Sequence, residues 1–245
     1  MKSVNSDLAY DHIRKRILSG EYPPGSPLMT KDLSSEIGVS RTPVRDALRQ
    51  LEADGLVVIR PHLGANVTKM GRKEFRELCE LRLALEGHAA ALAAVNHSQS
   101  DLREIQYALD AMRNLTSSIL SSSDEAPFIG DLLREDVRFH IAIMAAAHNA
   151  LMKAEILRLN MINRVMIGPS MPKQAGKEIS DSNRRKVLAS HEEIHDAIAR
   201  RDARAARDAM ERHIEDIVEK SIRLIADSDA ISPQELSEQE LSYSG

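Results

Sequence analysis

Residues 20–57 read GEYPPGSPLMTKDLSSEIGVSRTPVRDALRQLEADGLV, and this stretch decides the fold of the N-terminal part of the chain. Apolar residues at helical spacing predict a short helix that starts near Thr30, and Gly38 interrupts it. Ser40 then stands where it can cap a second helix, and Pro43 falls in the first turn of that helix, where a missing N–H costs little. Two short helices joined by a tight turn predict a helix-turn-helix unit.

The residues on either side of this stretch extend the pattern. A helix is predicted over 7–18, before the two helices already described. After them come two β-prone segments, 56–60 and 65–68, and the turn residues 61–64 join these segments as a hairpin. This order of elements predicts a winged helix-turn-helix domain over residues 1–70.

The second helix of the unit carries a basic stripe. Arg41, Arg45 and Arg49 are spaced four residues apart and therefore share one face. A neighbouring stripe is apolar and can pack on the rest of the small domain; it consists of Val44, Ala47, Leu48 and Leu51. Arginine can bond the edge of guanine or hold a phosphate. Such a stripe alone also fits a solvated surface helix, but the preceding helix, the turn and the hairpin together favour DNA binding.

Charge and composition restrict where such a function can reside. The net charge of the chain is −4, yet residues 1–70 hold 10 Lys and Arg against 8 Asp and Glu, a net of +2. A DNA-binding surface must therefore be local to this part. The sequence has no long apolar run, no apolar N-terminal leader and a single cysteine, Cys79. These features predict a cytoplasmic protein without a membrane span.

From residue 72 onward the periodicity is helical throughout. We predict helices over 72–96, 100–121, 127–148, 150–167, 181–200 and 202–226. They define an all-α helical domain over residues 71–227, and the acidic, serine-containing residues 228–245 are expected to be disordered. The predicted fold class is therefore mainly α, with an N-terminal winged helix-turn-helix and a C-terminal helical bundle.

Four residues of the helical domain have the chemistry of metal ligands. Asp136 and His140 are spaced i, i+4 on one helix face, while His191 and His213 lie on two later helices. Three imidazoles and one carboxylate suit a transition metal such as Zn, Ni, Mn or Fe. Spacing alone does not distinguish these residues from the other histidines, because most histidines in proteins bind no metal.

The chain resembles a known family over residues 8–68. The run Gly38-Val39-Ser40-Arg41-Thr42-Pro43-Val44-Arg45 is similar to the DNA-binding domain of the GntR family. The resemblance implies DNA contacts from Lys31, Arg41, Thr42 and Arg45, with Arg49 as a phosphate contact. We include Ser40, at the start of the recognition helix, in the same interface.

The hairpin departs from the family's pattern. The wing often reads Arg-Pro-Gly-Arg-Gly in this family, whereas Leu63 occupies the place of the second arginine here. A leucine cannot bond a base edge or a phosphate. His62 and the backbone amides of the wing, at Gly64, are the expected substitutes.

A second resemblance covers about residues 75–226. LREDVRFHIAIMAAAHNALM (133–152) and HEEIHDAIARRDARAARDAMERHI (191–214) are similar to the FCD ligand-binding domain of FadR-like GntR regulators. The resemblance implies a metal held by Asp136, His140, His191 and His213. It also implies that Arg82 faces a small carboxylate effector, although an ion pair between Arg82 and Glu86 fits the i, i+4 spacing equally well.

The combined interpretation is a homodimeric transcription regulator, not an enzyme. We expect a repressor that binds a palindromic DNA operator, because a two-fold dimer doubles the few base pairs that one helix reads. A carboxylate effector at the metal is expected to control operator affinity.

Two alternatives to this interpretation remain. One is a dimeric DNA-binding protein that needs no ligand. The other is a zinc hydrolase built on the H-E-x-x-H string of residues 191–195, with Glu192 as general base. The absence of a metzincin-type extension after this string argues against the hydrolase.

Overall fold

The computed structural model describes residues 4–61, 64–167 and 177–229. Over these residues the chain forms nine helices and three short strands, which confirms the mainly α class. The N-terminal elements are α1 (Val4–Leu18), β1 (Pro27–Leu28), α2 (Thr30–Ile37), α3 (Arg41–Ala53), β2 (Val57–Arg60) and β3 (Gly64–Val67). The later helices are α4 (Arg72–Asn96), α5 (Gln99–Ser121), α6 (Ala126–Ala146), α7 (Ala150–Ile167), α8 (Lys177–Ala199) and α9 (Ala203–Asp229). Helix α9 extends past the predicted end at 226, and residues 230–245 of the predicted tail lie outside the described residues.

The N-terminal elements form the predicted winged helix-turn-helix. Ile13 and Leu51 are fully buried where α1 packs against α3. Ser40 occupies the N-cap of α3, as predicted, but its side chain makes no cap hydrogen bond. The wing is an antiparallel sheet of strand order β1-β3-β2. Strand β1 was not predicted, because a pair of residues shows no alternation that could identify a strand.

The helical domain is built around α4, which packs along α9 and also contacts α6 and α8. The side chains that α4 contributes to the centre of this bundle are small and let the helix backbones approach closely. The fully buried alanines of α4 are Ala89, Ala90, Ala93 and Ala94. Helix α5 starts with a capping box in which Ser98 and Asp101 satisfy each other's backbone N–H groups. None of the described helices combines the length and the apolar character needed to cross a membrane.

The two parts of the chain share a packed junction. Leu78 of α4 and Leu159 and Ile162 of α7 belong to the same buried apolar cluster as the core of the winged helix-turn-helix. Gly55, directly after the recognition helix, has φ +78°, and a Cβ built there would lie 2.7 Å from Ile162 Cδ1. Both the left-handed backbone conformation and the closeness of α7 therefore favour glycine at position 55.

We expect Gly55→Ala to lower the free energy of unfolding by about 2 kcal/mol, since a methyl group must adopt a left-handed backbone and displace Ile162. Gly38→Ala is the matched control, because Gly38 has φ +76° but no atom within 4 Å of a built Cβ. That variant should lose only the backbone contribution, about 1 kcal/mol. Urea denaturation of both variants measures the difference. Equal losses would mean that the junction with α7 is not packed as described.

Candidate nucleic-acid interface and metal centre

The recognition helix α3 separates its apolar and basic faces. Arg41, Arg45 and Arg49 are exposed to solvent, as is Thr42, whereas Val44 on the adjacent face is fully buried. Within the described ranges no ion pair engages any of the three arginines. Their guanidinium groups therefore remain available for an anionic partner such as a DNA phosphate or a guanine edge. Lys31 and Ser40 are exposed as well.

The wing contributes an exposed backbone. Gly64 opens β3 with φ +88° and pairs with Arg60 across the hairpin. Arg60 and Gly64 are both exposed. The predicted wing contact at His62 lies outside the described residues, as does Leu63, so this part of the interface stays a prediction.

Three buried histidines meet inside the helical domain, from three different helices. His140 comes from α6, His191 from α8 and His213 from α9. The ring centroids of His191 and His213 are 4.4 Å apart, and those of His140 and His213 are 5.2 Å apart. One ring nitrogen of each histidine lies within 4.8 Å of the others. We call this group the histidine cluster.

Asp136 joins the histidine cluster from one turn before His140. Its Oδ1 lies 3.1 Å from His191 Nε2. Burial works against the charged carboxylate, but the adjacent imidazole of His191 and the nearby imidazoles of His140 and His213 hold the pKa of Asp136 well below its ordinary value. The structure thus brings the three histidines together and places Asp136, the fourth ligand that the resemblance implies, against His191.

A small hydrogen-bond network fixes the orientation of two of the rings. The Val187 carbonyl oxygen lies 2.7 Å from His191 Nδ1 and also accepts from Ser190 Oγ at 2.7 Å. Since the Ser190 hydroxyl proton is used in that bond, its oxygen accepts from His213 Nδ1 at 2.8 Å. Both Nδ1 atoms therefore carry protons, and in the neutral form of each ring the lone pair resides on Nε2.

The histidine cluster fits a divalent transition metal by its donor chemistry. Nε2 of His213 and Nε2 of His191 are buried and make no hydrogen bond within the described residues. Burial, together with the neighbouring His191 and His140, holds the pKa of His213 well below its ordinary value, which favours the neutral ring. Neutral imidazole nitrogens beside a carboxylate are the ligands that Zn, Ni, Mn or Fe take.

Arg82 and Glu86 lie beside the histidine cluster, on α4. Arg82 Nε donates to Glu86 Oε1 at 2.8 Å, and the exposed fractions of the two side chains are only 6% and 0%. Arg82 and Glu86 therefore form the ion pair that their i, i+4 spacing allows. Arg82 Nη1, however, is buried without a hydrogen-bond partner in the described part of the chain. The same guanidinium can thus hold Glu86 and still offer a donor to a ligand carboxylate.

The structure does not assemble the H-E-x-x-H string into a hydrolase site. His191 points into the histidine cluster, but Glu192 accepts a hydrogen bond from Arg113 Nε of α5 at 2.7 Å. These two residues line an outer groove of about 430 Å³ between α5 and α8. His195 Nδ1 lies 3.2 Å from Asp196, its neighbour in sequence. The general base of the hydrolase interpretation is therefore turned away from the metal ligand that precedes it.

Comparisons with known proteins agree with this architecture. The family model "Bacterial regulatory proteins, gntR family" matches residues 5–67, and the FCD domain model matches residues 77–216. The Uxu operon transcriptional regulator of Escherichia coli is 31% identical over 85% of this chain and 83% of its own length. The "Probable D-xylose utilization operon transcriptional repressor" of Paenarthrobacter nicotinovorans is 33% identical over 57% of this chain, and the chain spans 58% of that relative. The solved structure of E. coli McbR/YncC superposes with a TM-score of 0.73 at 19% identity, covering 91% of this chain and 99% of that one.

Proposed function

This chain belongs to the GntR family of bacterial regulatory proteins and carries an FCD domain, and we propose that a small carboxylate bound at a metal in this domain controls its affinity for a DNA operator. The chain is a DNA-binding transcription regulator, and its E. coli relative is named as the Uxu operon transcriptional regulator. The winged helix-turn-helix corresponds to residues 1–70 and the effector domain to residues 71–227 in this proposal. The regulator acts as a homodimeric repressor on a palindromic operator.

Asp136, His140, His191 and His213 hold the metal in this proposal. A bound divalent ion supplies a Lewis-acid position at which a carboxylate oxygen can complete the coordination shell. Arg82 orients the same carboxylate through Nη1, its buried guanidinium nitrogen that makes no hydrogen bond to a described residue. The observation that carries the proposal is the convergence of three buried imidazoles from three helices beside this unsatisfied arginine.

Metal analysis of protein purified without chelator tests the first half of the proposal. About one divalent ion per chain is expected. A thermal-shift screen of the metal-loaded protein against small carboxylates tests the second half, because a ligand that binds the folded state raises its melting temperature. Sugar-derived acids come first in the screen, since one relative is named for a D-xylose utilization operon. Protein without metal, or without a response to any acid, would contradict the corresponding half.

The proposed DNA interface predicts that Arg45→Ala weakens operator binding by about 1–3 kcal/mol, if this exposed arginine bonds a guanine edge. Fluorescence anisotropy with an operator duplex and a scrambled duplex measures both affinity and specificity. Arg103→Ala is the control, because Arg103 is an exposed arginine of α5 outside the DNA-binding domain. Full operator affinity and specificity in Arg45→Ala would show that α3 is not the recognition helix.

A further inference from the structure

We propose that Glu86 is a positioning residue of the metal centre: its carboxylate fixes the tautomer and the ring orientation of His140. The inference rests on the proposed function, because it treats the histidine cluster as a metal site. Glu86 lies on α4 and His140 on α6, so the contact joins two helices that are distant in sequence.

Two buried polar atoms face each other where α4 and α6 meet. Glu86 Oε2 lies 3.4 Å from His140 Nδ1. Neither atom makes a hydrogen bond in the described part of the chain, to the other or to a third group. Buried polar atoms without partners are costly. A proton on Nδ1 would satisfy both atoms once the two side chains close from 3.4 Å to ordinary hydrogen-bond distance.

Such a proton decides which nitrogen of His140 can bind a metal. With Nδ1 protonated, the lone pair of the neutral ring resides on Nε2. His191 and His213 are held in the same way, by the Val187 carbonyl and the Ser190 hydroxyl. All three rings therefore use Nδ1 for an outer partner and keep Nε2 for the metal. Only His140 has a charged outer partner, and a carboxylate in that place raises the basicity of the ligand.

Glu86 also holds Arg82 through its other oxygen, at 2.8 Å. A simpler role for Glu86 would be that of a counter-ion to Arg82, with no influence on the metal. The two roles are separable by substitution, because Glu86 uses a different oxygen for each partner. Removing the charge of Arg82 makes the counter-ion role unnecessary and leaves the contact with His140 in place.

The experiment compares the wild type with E86Q, R82Q and the double variant R82Q/E86Q in Zn²⁺ titrations against a chromophoric chelator. We expect E86Q to bind Zn²⁺ about 10–100-fold more weakly, the usual scale for losing an outer partner of a ligand. An amide that keeps its oxygen on Arg82 presents an N–H group to His140 Nδ1, which favours the wrong tautomer. R82Q should bind Zn²⁺ at least as tightly as the wild type.

The double variant separates positioning from charge compensation. Both charges of the buried pair are removed in this variant, so we expect it to fold even if E86Q does not. We expect its Zn²⁺ affinity to remain at least about 10-fold below that of the wild type. Wild-type affinity in the double variant would overturn the inference, since Glu86 would then serve Arg82 alone.

Long-range ¹H–¹⁵N NMR of the Zn²⁺-loaded proteins gives a readout that loss of stability does not mimic. The wild type should show His140 protonated at Nδ1, and this signature should weaken in R82Q/E86Q. An unchanged His140 tautomer in the double variant would contradict the inference. Failure of the wild type to bind Zn²⁺ would instead overturn the metal site itself, so the two failures are distinguishable.

Discussion

His213→Ala is expected to lose most of its metal affinity, by a factor of at least about 100. Its imidazole is 2% exposed and lies in the histidine cluster, and an alanine there removes one ligand outright. Loss of an outer-shell partner alone already costs 10–100-fold in metal-binding proteins. Metal content after dialysis, measured for each variant at equal protein concentration, gives the result. Asp136→Ala should behave similarly.

The matched controls lie on α8. His195→Ala removes a largely buried histidine one turn after His191, and Glu192→Gln removes the acid of the H-E-x-x-H string. Both variants should retain their metal, because His195 lies near Asp196 and Glu192 bonds Arg113. If His195→Ala empties the site while His213→Ala does not, the ligand set is wrong and the hydrolase interpretation must be considered again.

Arg82→Ala is expected to lower the free energy of unfolding by about 3–5 kcal/mol, because it leaves the fully buried Glu86 without its charge partner. Burial alone disfavours the Glu86 carboxylate, but Arg82 and His140 together hold the pKa of Glu86 below its ordinary value. Removing Arg82 therefore strands a negative charge in the core. Denaturant titration of metal-free protein measures the loss without interference from ligand binding.

Arg113→Ala provides the control for this prediction. Arg113 also donates from Nε to a glutamate, Glu192, at 2.7 Å, but both side chains are about 40% exposed. An exposed pair contributes at most about 1 kcal/mol. Similar losses in Arg82→Ala and Arg113→Ala would show that the buried pair is hydrated and that Arg82 is not poised for a ligand.

The helices could be predicted from the sequence because their signals are local. The apolar period, together with the break after residue 96, located α4 with its bounds at Arg72 and Asn96. The stripes of α3 likewise indicated which side chains are buried and which are exposed. The sequence signals were weaker at the ends of helices. Helix α1 begins at Val4, whereas the predicted start was residue 7, and α8 begins at Lys177, whereas the predicted start was residue 181.

The candidate site could be predicted only in part. Asp136 and His140 share a helix face, but no local sequence pattern connects them with His191 and His213. The family resemblance identified these four residues as a set. The packing of α6, α8 and α9 brings their side chains together. The contact between Glu86 and His140 arises only from the packing of α4 against α6. From the sequence, Arg82 could either pair with Glu86 or contact a ligand. In the structure the guanidinium can do both, because Nε bonds Glu86 and Nη1 has no hydrogen-bond partner among the described residues.

The operator affinity of the metal-loaded protein, measured with and without each of a panel of small carboxylates, tests the central claim most directly. We expect at least one acid to change the affinity by about 5–150-fold, the usual scale of coupling between two sites. His213→Ala should bind the operator but show no response to that acid. If no carboxylate changes operator affinity or melting temperature, the helical domain only joins two DNA-binding domains, and control by an effector is contradicted.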